Sequence, residues 1–152
     1  MKLAEALILR ADSQKRLEQL KQRILRNAKV QEGDSPAEKP SNLLEEAERV
    51  AAELLGLIQR INKTNASTRL ESGETIADAI AMRDVLRLRQ ALYRDLSAAS
   101  TIVQERFSRS EVKFIGTVDV AETQKQSDAL AKDCRELDAR IQAANWQIEV
   151  QE

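Results

Sequence analysis

Hydrophobic residues recur at helical spacing along most of the chain. Between residues 43 and 61 they alternate at intervals of four and three, which is the spacing of a coiled-coil seam. A similar track runs through residues 81–103 and includes Leu88 and Leu92. Such spacing predicts amphipathic helices whose apolar stripes pack against neighbours. We expect helices at about residues 3–28, 42–61, 76–107 and 121–144.

Three shorter segments have patterns typical of β-strands. Residues 112–120 are rich in Val, Ile and Phe, which favour extended backbone. Residues 146–150 alternate apolar and polar side chains, and residues 67–70 lead into a turn at Ser72 and Gly73. We therefore expect three short strands that pair into a small two- or three-stranded sheet.

The composition agrees with a mainly helical fold. More than half of the 152 residues are Ala, Leu, Glu, Arg or Lys, and there are only four Gly and two Pro. A helix of about thirty residues spans roughly 45 Å, which exceeds the width of a compact domain of this size. The predicted fold is a single, mainly α domain over residues 1–152: an elongated, antiparallel, coiled-coil-like four-helix bundle with the small β-sheet at one end.

Residue usage narrows the possible chemistry. The chain has no histidine, which excludes His-based catalysis and His metal ligands. Its single cysteine excludes an intrachain disulfide and Cys-rich metal sites. There is no Gly-rich phosphate loop, no nucleophile elbow and no dinucleotide-binding fingerprint. We therefore expect no catalytic residues, no cofactor and no resident metal, and the sequence favours a non-enzymatic role.

The N-terminal segment lacks a targeting signal. Its apolar run from Leu3 to Leu9 is interrupted by Glu5 and ends at Arg10, before it reaches the length of a signal peptide. No window approaches the roughly 20 apolar residues of a membrane span. Together with the lone thiol of Cys134, this predicts a cytoplasmic protein without a membrane partner.

Four arginines make the third predicted helix locally basic. Arg83, Arg87 and Arg94 align along one side of the helix, and Arg89 lies on an adjoining face. Because arginine binds phosphate through two parallel hydrogen bonds, these side chains are candidates for contacts with phosphate or nucleic acid. The favoured alternative is pairing with nearby aspartates and acidic helices, since no aromatic residues are interleaved for base stacking.

A polar stretch after the second predicted helix is a second candidate site. Asn62, Asn65, Thr68 and Arg69 are dense in hydrogen-bonding groups and are followed by two glutamates. They are candidates to line a small-ligand pocket, or an enzyme site that uses a divalent metal. The favoured alternative is that they end the helix and satisfy the following turn.

Self-association is the leading functional hypothesis. The second and third predicted helices each carry two apolar stripes, more than one short four-helix layer can cover. Basic residues predominate in residues 1–30, whereas acidic residues predominate in 31–60 and 110–152. Opposed helix charges set partner choice and orientation. We therefore expect a homo-oligomeric scaffold or protein-interaction module, with a nucleic-acid-binding protein and a ligand- or metal-dependent enzyme as alternatives.

Several sequence blocks carry a resemblance to a known family. They are MKLAEALILRAD, INKTNASTRLESG, RDVLRLR, RFSRSEVKF, TVDV and RIQAANWQIEV. Together they extend over nearly the whole chain and resemble a family of small uncharacterised bacterial proteins, some of which are labelled septicolysin. The resemblance implies a bacterial origin and provides no catalytic residues, because the family has no established activity.

Overall fold

The computed structural model describes residues 1–102 and 112–152. Its regular structure is entirely helical, which confirms the helical part of the predicted fold. The predicted continuation of the third helix to residue 107, and its apolar position Val103, lie outside the described residues. The helices are α1 (Leu3–Arg26), α2 (Pro40–Ser67), α3 (Ile76–Ser100) and α4 (Val120–Gln147).

Local capping explains where three of the helices begin. The backbone N–H of Lys2 donates to Glu5 Oε2 at 2.7 Å before α1 starts. The N–H of Asp78 donates to the hydroxyl of Thr75 at 3.0 Å, which satisfies one of the free donors in the first turn of α3. Helix α2 starts at Pro40, whose missing N–H is no cost at a first helical position.

The chain divides into two compact units. The first contains Met1–Arg69 and Gln142–Glu152, and the second contains Leu70–Ile141. Helix α4 therefore contributes to both units, because the division falls within its last two turns. Each unit has its own hydrophobic cluster.

In the first unit, α1 and α2 form an antiparallel hairpin. Arg16 pairs with Glu46 at 2.6 Å, and Arg23, further along α1, pairs with Glu38 ahead of α2. As the residue number rises along α1, the number of the paired residue in or before α2 falls, so the two helices run in opposite directions. Leu20 is buried in the cluster between the two helices. The remaining members of that cluster are Leu43, Val50, Leu17, Ile24 and Ala47.

In the second unit, α3 and α4 are also antiparallel. Arg83 Nη1 lies 3.0 Å from Asp138 Oδ1, and the side chain of Gln90 donates to Ser127 Oγ at 3.2 Å. A rise of seven residues along α3 thus corresponds to a fall of eleven along α4. The cluster of this unit contains Ala79, Leu137 and Ile141, with Leu70, Ile80 and Leu86 packed against it.

The predicted β-sheet is wrong. The described part of the chain contains isolated bridge residues but no strand, and one of those bridges joins Lys2 to Glu149. Of the predicted C-terminal strand 146–150, the first two residues belong to α4. Residues 112–116 have no regular structure, and residue 120 begins α4. A segment whose residues favour extended backbone forms a stable strand only where a neighbouring strand provides backbone hydrogen bonds.

The predicted strand 67–70 fails for a related reason. Its first residue, Ser67, is the last residue of α2, because the helix continues six residues beyond the predicted end at residue 61. The hydroxyl of Ser67 donates to the Lys63 carbonyl at 2.8 Å, and that of Thr64 donates to the Arg60 carbonyl at 2.8 Å. These bonds run four residues back along the chain, so they are compatible with continued helix.

Candidate functional site

Large exposed hydrophobic side chains concentrate on one side of α3. Leu88 is 72% exposed and Leu92 is 66% exposed. At 3.6 residues per turn, five neighbouring positions fall within an arc of about 80° around the helix. We refer to these five exposed residues as the α3 apolar face: Val85, Leu88, Leu92, Leu96 and Ala99.

The opposite side of α3 packs against α4. Ala79, Gln90 and Ser97 lie within an arc of about 20° of one another, and the first and last of these residues are buried. Gln90 makes its hydrogen bond to α4 from this side. Helix α3 also buries Ile76 fully, and Ile80 and Leu86 pack against the cluster of the second unit. The helix therefore carries apolar residues on two sides and exposes the leucines of one.

A second exposed apolar segment follows the undescribed residues. Phe114 is 85% exposed and Ile115 is 81% exposed. They border a groove of about 310 Å³ whose other wall is formed by residues 99–102. A Cβ atom at Gly116 would lie 3.1 Å from the Ser100 carbonyl oxygen, so glycine permits the close approach of these two segments.

Arg83 and Arg87, two of the predicted phosphate contacts, pair with carboxylates. Arg83 lies 3.0 Å from Asp138 and 2.9 Å from Asp84, and Arg87 lies 3.5 Å from Asp138. Burial alone lowers the pKa of Arg83, but hydrogen bonds to the two aspartates outweigh burial and raise that pKa. The guanidinium is therefore charged and held between carboxylates that compete with any phosphate.

The other two arginines do not join this cluster. Arg94 pairs with Asp95 at 3.1 Å, and both side chains are exposed. Arg89 lies about 60° around α3 from Leu92, on one edge of the α3 apolar face. Three of the four predicted arginines therefore share one side of α3, as their spacing indicates, and the fourth flanks the exposed leucines.

The predicted polar site maps to the end of α2 and the residues that follow it. Asn62 is exposed, whereas Asn65 is half-buried and its Oδ1 atom has no hydrogen-bond partner among residues 1–102 and 112–152. Thr68 caps the helix, and its N–H donates to the Thr64 carbonyl at 2.9 Å. Arg69 is exposed just beyond the cap.

The neighbouring hydroxyls bind the chain's own C-terminal residues. The backbone N–H of Gln151 donates to Thr64 Oγ1 at 3.0 Å, and its side-chain amide donates to Ser67 Oγ at 2.7 Å. Arg60 Nε donates to the Gln151 carbonyl at 3.3 Å. Sequence reasoning missed this contact, and no local pattern signals it because the partners are more than eighty residues apart.

A carboxylate close to Gln151 holds the two ends of the chain together. Glu149 accepts hydrogen bonds of 2.8 Å from Lys2 Nζ and from the α-amino group of Met1. These two hydrogen bonds lower the pKa of Glu149 to about 2, and the bond from Lys2 has the larger effect. The N–H of Val150 also donates to the Met1 carbonyl at 2.9 Å.

A charged cleft of about 440 Å³ lies between α1 and α2. Arg16 lines it and hydrogen-bonds to Glu46, which lowers the pKa of that carboxyl group. Within residues 1–102 and 112–152, no cluster of three or more acidic or cysteine side chains has the geometry to hold a metal ion. No helix in the same residues has the length and hydrophobicity to cross a bilayer.

These features describe a helical protein whose principal exposed feature is an apolar helix face. The chain belongs to a family of unknown function, DUF6847, whose model matches residues 10–150. It is also similar to a crystal structure of a functionally unknown conserved protein from Corynebacterium diphtheriae, with 46% identity, 99% of each chain covered and a TM-score of 0.94. No curated protein is significantly similar to the chain. Neither match supports the septicolysin label.

Proposed function

We propose that the chain is a protein-interaction module of the bacterial cytoplasm that self-associates through the α3 apolar face. The observation that carries this proposal is the exposure of four large aliphatic side chains at seam spacing on a single helix. A second copy of the chain is the occupant to which the proposal commits, because a face of aliphatic side chains is chemically complementary to the same face of another copy. The four side chains are Val85, Leu88, Leu92 and Leu96.

The energetics favour covering this face. Complete burial of a leucine or valine side chain is worth about 1.5–3 kcal/mol relative to exposure. Contiguous apolar patches are uncommon on monomeric proteins and mark interaction sites. Four such side chains on one face therefore provide a hydrophobic driving force for association.

The internal contacts of the candidate polar residues also support an interaction role over catalysis. Arg83 and Arg87 are engaged with aspartates of α3 and α4, so this cluster stabilises the helix pair. The hydroxyls of the polar stretch are likewise engaged with Gln151. These groups are used for internal contacts, whereas the side chains of the α3 apolar face are exposed.

The test introduces charge into the face and compares it with the same charge elsewhere on α3. The double variant Leu88→Glu/Leu92→Glu should be monomeric by light scattering at micromolar concentrations, where the natural protein is oligomeric. The matched control is Ala98→Glu, at an exposed position about 120° around the helix from Leu92. An oligomeric double variant, or a control that dissociates equally, would contradict the proposal.

A further inference from the structure

Residues 148–152 join the start of α1 to the end of α2, and we refer to them as the C-terminal strap. Their backbone pairs with that of residues 1–3 through two hydrogen bonds of 2.9 Å. Two hydroxyl groups of α2 accept hydrogen bonds from Gln151 of the strap. All of these residues belong to the first unit. The strap therefore closes the open end of the α1–α2 hairpin.

Four cationic groups donate hydrogen bonds to the strap. Two of them bind the Glu149 carboxylate at 2.8 Å, and the other two bind backbone carbonyl groups of the last two strap residues. The side chain of Glu149 is 61% exposed, so salt ions have access to its two charge-assisted bonds. The four groups are the α-amino group of Met1 and the side chains of Lys2, Arg60 and Lys63.

Apolar burial contributes little to holding the strap in place. Val150 is its one buried residue, Ile148 is half-buried, and the other three residues are exposed. Helices α1 and α2, by contrast, pack around Leu20, which is 1% exposed. A segment with few buried apolar contacts and many exposed hydrogen bonds opens locally at a lower free energy than packed helices.

We infer that the C-terminal strap opens as a unit while α1 and α2 stay folded, and that its bonds to cationic groups keep it closed. Opening frees hydrogen-bonding groups that the closed strap occupies along one side of α2. These groups belong to Arg60, Lys63, Thr64 and Ser67, which recur at three- and four-residue spacing. The strap is therefore an internal ligand of the region in which the sequence predicts a polar site.

Native-state amide exchange of the full chain, followed by NMR, measures this opening. Val150 and Gln151 report on the strap, because neither of their backbone N–H groups binds the Glu149 carboxylate. Both should be protected at least about tenfold less than Leu20 in the hairpin core. Low urea concentrations should accelerate exchange at Leu20 and leave the two reporters nearly unchanged, because the urea dependence scales with the surface that an opening exposes.

A charge variant and added salt test what keeps the strap closed. Glu149→Gln should accelerate exchange at both reporters about fivefold, because it weakens two charge-assisted bonds. The matched control is Glu18→Gln on α1, whose side chain is 60% exposed and pairs with Lys21. The control should change the reporters less than about twofold. Raising the salt from about 0.1 M to about 1 M shortens the Debye length from about 10 Å to about 3 Å and should accelerate the reporters about threefold.

Ser67→Ala tests whether the strap opens as one unit. Within the strap Ser67 hydrogen-bonds to Gln151 alone, so cooperative opening predicts exchange about threefold faster at Val150 as well. Reporters with the protection and urea dependence of Leu20 would overturn the inference, because the strap would then open only on global unfolding. An unchanged Val150 in Ser67→Ala would also overturn it, as would reporters that fail to respond to either Glu149→Gln or salt.

Discussion

Replacing Leu92 with alanine removes three carbon atoms from the centre of the proposed contact. Leu92 is 66% exposed in the single chain, so about two thirds of its burial is gained only on association. At about 0.8 kcal/mol for each buried CH₂-sized group, the loss is roughly 1.6 kcal/mol for one copy. Each copy contributes one Leu92 to the proposed contact, which gives about 3 kcal/mol for the dimer. The dissociation constant should therefore rise about 200-fold.

Sedimentation velocity over a dilution series measures this change directly. The matched control is Leu25→Ala on α1, since Leu25 is 59% exposed and lies in the first unit. The control should leave the dissociation constant unchanged. Because Leu92 is exposed in the single chain, Leu92→Ala should also change the stability of the monomer by less than about 0.5 kcal/mol. Equal dissociation constants for Leu92→Ala and the natural protein would refute the reasoning.

Two further predictions concern ion pairs within each unit. Arg83→Ala removes a half-buried pair with Asp138 and should lower the free energy of unfolding by about 1 kcal/mol in urea. Arg94→Ala breaks an exposed pair and should lower the free energy of unfolding by less than about 0.5 kcal/mol. Equal losses for the two variants would contradict the greater burial of the Arg83 pair. Glu149 has a pKa lowered to about 2, so its contribution is present above its ordinary pKa of 4.5 and is lost as pH falls through about 2. In Glu149→Gln, the urea midpoint should therefore fall less steeply as the pH is lowered across this range. An unchanged slope would show that the bond between Glu149 and Lys2 does not contribute to stability.

Helices were predictable because their periodicity is local. The four-and-three spacing around Leu88 and Leu92 predicts a helix whatever the helix contacts, and α3 forms there. The same spacing does not specify which neighbour covers the apolar residues. The side of α3 that meets α4 carries Ala79, Ile80 and Leu86, and the hydrophobic pattern does not distinguish which of the two apolar stripes is covered. Exposure of the leucines is consequently a property of tertiary packing.

The parts that sequence reasoning missed depend on distant partners. The segment around Phe114 has strand-forming composition, but no neighbouring strand pairs with it in the described residues. The polar groups at Thr64 and Ser67 are assigned to helix-end contacts by their composition, whereas their partner Gln151 lies near the other end of the chain. Propensity describes one segment at a time, so it identifies neither an absent strand nor a remote hydrogen-bond donor.

The most direct test of the central claim is the molar mass of the unmodified protein in solution. Sedimentation equilibrium at micromolar concentrations, at low and moderate salt, reports whether the chain associates with a second copy. We predict twice the chain mass at the higher concentrations and dissociation on dilution. Salt should have little effect because screening acts on charges and the contact is apolar. The mass of a single chain throughout the series would contradict the account.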